Sequence, residues 1–219
     1  MVRKKLRRFE ENRESGIVLE PGMPLYESIA GKWNGGFFSL PNPITLELGC
    51  GRGEYSTGLA RIFPDRNYIG VDIKGARIWT GMRAALDEGL VNAGFLRAQV
   101  DHLHRFFIKG EIAEIWIPFP DPRPRSSDER KRLISPKFLN IYRDIIVPGG
   151  TVRLKTDDAG LFHYALEMLG SIPWIRNLRY TADLYRSPMA EEHFGIKTRY
   201  ECQFLLEGKD IKYLTFSII

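Results

Sequence analysis

The chain of 219 residues contains only two cysteines, Cys50 and Cys202, and four histidines. So few cysteines exclude a disulfide framework and suit a reducing compartment. His102 and His104 lie near Asp101, but no further ligand follows at a zinc-site spacing, so no metal centre is expected. "EEHF" (Glu191–Phe194) is not a zinc-protease motif, and no Gly-Lys-Ser/Thr sequence offers a phosphate loop. No apolar run approaches the roughly 18 residues of a membrane span. The start of the chain is basic but carries no apolar stretch of the kind a secretory signal needs, which points to the cytoplasm. Internal repeats and low-complexity segments are also missing.

What is present is an ordinary globular composition with a small basic excess. Hydrophobic residues make up 43% and charged residues 27%, with a net charge of +5. Its placement is more informative than its size. Arg3, Lys4, Lys5, Arg7 and Arg8 crowd the N-terminus, and Arg123, Arg125, Arg130, Lys131 and Arg132 crowd one loop. Such clusters suit a polyanionic partner. Residues 1–34 read as a basic arm followed by a short helix near Leu25–Trp33, ahead of a single domain over residues 35–219.

From there, strand patterns alternate with helix patterns. "ITLELGC", "NYIGVDI", "GFLRAQV", "IAEIWIPF" and "GGTVRLKT" read as strands. Helices are expected over "EYSTGLARIF", with Leu59, Ile62 and Phe63 inward, and over "GARIWTGMRAALDEG", with Ile78, Met82 and Leu86 inward. Two more are expected over Ser135–Ile146 and Ala159–Leu169. "WIRNLRYTADL" and "IKYLTFSII" read as an antiparallel pair at the edge. The fold class is therefore α/β: a doubly wound, mostly parallel sheet closed by a C-terminal antiparallel pair. Ligands in such folds bind beyond the carboxyl ends of the strands. Trp79 and Trp116 are expected in the core, and Cys50 as a space-filling residue.

The first strand runs into "LELGCGRGEY". The turn lacks the glycine at position 54 that a dinucleotide fingerprint would need. Acid-x-Gly-x-Gly-x-Gly resembles the first motif of S-adenosylmethionine-dependent methyltransferases. Glu47 suits a sulfonium cation that also carries an ammonium group, and Gly49 and Gly51 let the ligand approach the backbone. Asp72, at the end of the second strand, is placed to accept from both ribose hydroxyls, or else to cap the next helix. Gln99 stands where an adenine edge would lie. "FPDPRPRSSDERKRL" follows the fourth strand, its prolines stiffening a loop that holds Asp121 amid arginines. Those arginines can bind phosphate or pair with Asp128 and Glu129.

"FPDPRPR", "ERKRL", "LKTDD" and "TRYECQF", in that order, resemble the bacterial tRNA (guanine-N7-)-methyltransferase family between about Leu46 and Phe204. The resemblance implies a Rossmann-like methyltransferase domain, S-adenosylmethionine as cofactor and tRNA as partner, with a guanine of the variable loop as target. It implies neither metal nor membrane, and the protein would be a monomer or homodimer. Carried over by position, Glu47, Asp72 and Asp121 bind cofactor, and Asp121 is catalytic. Arg125, Asp157, Thr198 and Glu201 fall on substrate positions, while Arg123, Arg130, Lys131 and Arg132 would meet RNA.

Three departures stand out. The family usually has aspartate where this chain has Gln99, tryptophan where it has Arg123, and histidine where it has Asp128. "TRYE" also reads as a capping box, and "KTDD" as a helix cap. Two rival functions are methylation of an exocyclic amine and RNA binding without catalysis. "DPRP" lacks the adjacent second proline and the aromatic that the first of these typically requires.

Overall fold

The structure is a computed structural model, described here for the backbone of residues 2–219 and for side chains from residue 5. Its strands are β1 (Val18–Leu19), β2 (Ile44–Leu48), β3 (Asn67–Asp72), β4 (Ala93–Arg97), β5 (Ile112–Pro118), β6 (Ile146–Thr156), β7 (Ile175–Thr181) and β8 (Lys212–Ile218). The helices are α1 (Val2–Glu14), α2 (Glu54–Ile62), α3 (Gly75–Asp87), α4 (Pro136–Ile145), α5 (Ala159–Gly170) and α6 (Arg199–Leu206). The strands form one sheet in the order β1-β4-β3-β2-β5-β6-β8-β7. Pairs from β1 through β6 are parallel, and β8 runs antiparallel to both β6 and β7. Strand order reverses between β2 and β5, so a crevice opens at their carboxyl ends.

Every residue of β2 and β3 is buried, as expected of central parallel strands covered on both faces. On one face Leu46, Ile115 and Leu154 pack with Phe138, Leu139 and Phe162 of α4 and α5, and with Trp33. On the other, Cys50, Phe95 and Trp116 pack with Tyr55, Leu59, Ile78 and Met82 of α2 and α3. The helix faces differ from expectation at two residues. Leu86 is exposed and Ala85 is buried in its place. Steps of four residues drift about 40° around a helix, so Leu86 has rotated off the stripe begun by Ile78. Ile62, the last residue of α2, is likewise exposed.

The basic N-terminal arm forms a helix, with no proline or glycine to interrupt it before Gly16. Phe9 packs on Gly75, and Asn12 donates through Nδ2 to Gly75 O at 2.9 Å. The Arg8 guanidinium lies 4.6 Å from the Trp79 ring centre, and Trp79 Nε1 donates to Glu11. Trp79 is thus half-buried under α1, whereas Trp116 is fully buried. The Arg3 and Lys4 side chains lie outside the described residues.

The helix expected near Leu25–Trp33 is two short turns, Pro24–Glu27 and Trp33–Phe37, separated by Gly31 at φ 75°. β4 ends at Arg97, so Gln99 has already left the sheet and leads into a 3₁₀ turn over Val100–Arg105. The edge strand β7 is irregular: Asn177 adopts φ 54°, and pairing with β8 shifts between Arg176 and Arg179. Among the described residues, no helix is long and apolar enough to cross a membrane.

Trp33 joins the first turns to the main core. It is 0% exposed, donates to Phe106 O at 2.8 Å and stacks on Phe107. Trp33→Ala is expected to lower stability by about 3–5 kcal/mol in urea unfolding. Val91→Ala, at a position 85% exposed, should change it by less than about 0.5 kcal/mol.

Candidate active site

The crevice at the strand reversal has a volume of about 790 Å³ and is lined from the turns after β2, β3, β4 and β5 and from the start of α6. The size suits a small organic ligand. Among the sequence-predicted residues, Glu47, Gly49, Gly51, Asp72, Gln99, Asp121, Arg123, Lys131 and Thr198 all contribute to its lining.

The three glycines of the turn are left-handed, with Gly49, Gly51 and Gly53 at φ 67°, 55° and 70°. A Cβ on Gly53 would come within 2.5 Å of the Phe95 ring, so the turn also needs glycine for packing. Behind it, Glu47 is buried in β2 and accepts from Ser56 N at 2.7 Å, Ser56 Oγ at 2.6 Å and Tyr55 N at 3.4 Å. The first turn of α2 therefore aims its N–H groups at this carboxylate. Burial nevertheless dominates and raises the Glu47 pKa to about 8, against the Ser56 hydrogen bonds that lower it. A cation in the crevice would favour the ionised form.

Asp72 joins two turns. Its Oδ2 accepts from Gly51 N at 2.9 Å and its Oδ1 from Lys74 N at 2.7 Å. α3 starts after Lys74 with no side-chain cap, so Asp72 closes a turn before the helix instead of capping it. Each carboxylate oxygen keeps a lone pair for a further donor. Gln99 is exposed at the opposite wall.

The proline-rich loop is fastened at both ends. Phe119, at φ 51°, donates its backbone N–H to Lys155 O at 2.8 Å. Asp121 is 61% exposed, accepts from Arg123 N at 3.2 Å and pairs with Arg123 Nε at 3.1 Å. Arg123, at φ 48°, accepts through its carbonyl from both Nε and Nη2 of Arg132, each at 3.1 Å. The Arg132 guanidinium also covers Tyr164 at 4.3 Å. Arg132 thus shapes the loop from within, while Arg125 and Arg130 are exposed. Lys131 pairs with Asp128 at 2.6 Å and holds that carboxyl below its usual value.

α6 supplies the remaining wall. Thr198 Oγ1 accepts from Glu201 N at 3.1 Å, and Glu201 reaches back to Thr198 N, completing the expected capping box. Glu201 itself is 0% exposed and does not reach the crevice. Its carboxylate pairs with the equally buried Lys155 of β6 and accepts from Tyr185 OH at 2.7 Å. Lys155 Nζ also donates to Tyr55 OH at 2.8 Å. Burial draws the Lys155 pKa down to about 8, with the Glu201 carboxylate opposing. Asp157 stands outside the lining, paired with Lys209 at 3.1 Å, and Asp158 caps α5 by accepting from Leu161 N at 2.6 Å.

Lys155 was not singled out from the sequence, because a lysine inside "VRLKTDD" looks like any strand-end charge. Arg52, Glu54, Lys74, Arg77, Arg199 and Tyr200 also line the crevice. Their positions just beyond strand ends, or beside Thr198, were the available signal.

Removing one member of the buried pair should be costly. Lys155→Met strands the Glu201 carboxylate and is expected to destabilise the fold by roughly 3–5 kcal/mol. Combining it with Glu201→Gln should recover part of that loss, as read by guanidinium unfolding of the two variants side by side.

Comparison with known proteins supplies the family. A family model described as "Putative methyltransferase" matches residues 41–214. A tRNA (guanine-N(7)-)-methyltransferase of Cytophaga hutchinsonii is 46% identical over 220 residues, covering 100% of this chain and 99% of that protein. A tRNA (guanine-N(7)-)-methyltransferase of Porphyromonas gingivalis is 46% identical over 202 residues, covering 91% of this chain and 79% of its own. The crystal structure of the 16S rRNA methyltransferase KamB matches in fold, with a TM-score of 0.60 at 19% identity over 81% of this chain and 88% of its own. With near-complete coverage at such identity, the chain belongs to the tRNA (guanine-N(7)-)-methyltransferase family.

Proposed function

We propose that the protein transfers the methyl group of S-adenosylmethionine to N7 of a guanine in tRNA, within the variable loop. The observation that carries this reading is the placement of Asp121. It is an exposed carboxylate on a fastened loop, at the mouth of a crevice whose floor holds Glu47 and Asp72.

The crevice fits the donor. Glu47 lies where an ammonium or sulfonium charge would be neutralised, Asp72 faces a position for ribose hydroxyls, and the glycines leave room for the chain of the ligand. Gln99 would meet the adenine edge through a neutral amide. When bound, S-adenosylmethionine supplies an electrophilic methyl carbon.

Guanine N7 carries a free lone pair on the major-groove edge and no proton. The residues therefore need to align the base, and no base catalyst is required. Asp121 accepts from the guanine N1–H and amino group, and its charge complements the positive charge that the base acquires. Thr198 forms the adjoining wall. Glu201 and Asp157 serve this wall from behind: Glu201 fixes Thr198, and Asp157 holds Lys209 near the end of α6. Exposed Arg125 and Arg130, with Lys131 and the basic face of α1, meet tRNA phosphates. Arg123 and Arg132 act mainly on the shape of the loop.

Two measurements test the assignment. Asp121→Ala is expected to reduce methyl transfer to unmodified tRNA by at least about 100-fold, with donor affinity less affected. Labelled methyl incorporation and cleavage at 7-methylguanine read the first, and calorimetry the second. The Glu47 carboxyl, with its pKa near 8, is mostly neutral at pH 7. A cationic donor favours the charged form, so donor binding at pH 7 should release a fraction of a proton, and affinity should gain from ionisation as pH rises toward 8. Calorimetry in buffers of different ionisation enthalpy should detect that release in the wild type and not in Glu47→Gln.

A further inference from the structure

We propose that Tyr200 is the surface on which the target guanine stacks, and that its ring favours the methylated, cationic base over the neutral one. This rests on the transfer to guanine proposed above.

Large aromatic side chains are normally buried, yet Tyr200 is 52% exposed. The other well-exposed aromatics among the described residues, Tyr180 and Phe194, are not part of the crevice wall, whereas Tyr200 is. Its backbone has little freedom. It is the second residue of α6, between Thr198 and Glu201, whose capping box and buried partner Lys155 hold that turn in place. The ring is also braced. It lies near-parallel to Phe204, at 24° and 6.5 Å between centres, and Phe204 packs on Phe119 at 5.7 Å. Phe119 comes two residues before Asp121 in the fastened loop. An aromatic row therefore joins the lip of the crevice to the segment that carries Asp121.

A guanine drawn from its stack loses aromatic neighbours, and a braced ring at the entrance replaces them. In the transfer, the N7 lone pair forms the new bond to carbon while the carbon–sulfur bond breaks, and no proton moves. The positive charge passes from sulfur to the purine. An aromatic face attracts a cation more strongly than a neutral ring, so Tyr200 holds the transition state and product more tightly than the bound substrate.

The test compares Tyr200→Ala and Tyr200→Phe with the wild type, using unmodified tRNA for turnover and GMP and 7-methyl-GMP as binding probes. Tyr200→Ala should lower kcat/KM by about 10- to 100-fold, with donor affinity and unfolding midpoint unchanged, while Tyr200→Phe stays close to wild type. The wild type should bind 7-methyl-GMP more tightly than GMP, and Tyr200→Ala should lose that preference. Turnover of Tyr200→Ala equal to wild type, failure of phenylalanine to substitute, or a wild type indifferent to the methyl group would each overturn the proposal. A wild type that takes up donor but leaves no 7-methylguanine in tRNA would overturn the underlying activity as well.

Discussion

One buried ion pair ties the site together. Lys155 and Glu201 are both fully shielded from water, and each has further partners: Tyr55 for the lysine, Tyr185 and the Thr198 N–H for the glutamate. An unmatched charge at such depth would be severely unfavourable, so the pair constrains everything attached to it. Attached to it are three separate walls of the crevice. The Lys155 carbonyl holds Phe119 and hence the loop of Asp121, its ammonium group reaches α2 through Tyr55, and its carboxylate partner starts α6. A single strand end thus sets the relative positions of residues distant in sequence.

The opposite side of the crevice uses backbone amides for the same purpose. Asp72 binds the glycine turn and the turn before α3 with its two oxygens, and Glu47 gathers the first N–H groups of α2. Both carboxylates therefore maintain the cavity that they also line. Their two tasks are compatible because each oxygen can accept more than one donor. Glu47 is buried, so this floor is poorly solvated, which raises its pKa and is a setting in which a bound cation interacts strongly.

Much of this was legible from residues alone. The apolar runs "ITLEL" and "NYIGVD" read as strands, the structure puts them at the centre of the sheet, and the turns that follow them mark the crevice. The capping box was readable from the spacing of Thr198 and Glu201, since that device is local in sequence. Long-range partnerships were not. Arg132 looked like a phosphate ligand in a run of basic residues, and only the fold shows it bonded to the Arg123 carbonyl and stacked on Tyr164. Lys155 was overlooked for the same reason, as its partner lies in a different element. α1 was not distinguished from a basic tail, because its anchors, the backbone of Gly75 and the ring of Trp79, lie far along the chain in α3. β1, two residues long, is too short for alternation to appear.

The edge strand β7 has a consequence for assembly. Its ladder is interrupted at the left-handed Asn177, and the flanking residues are Arg176 and Arg179. A second copy approaching that rim would find no continuous row of amides to bond. Sheet extension from one molecule to the next is therefore disfavoured at the β7 rim.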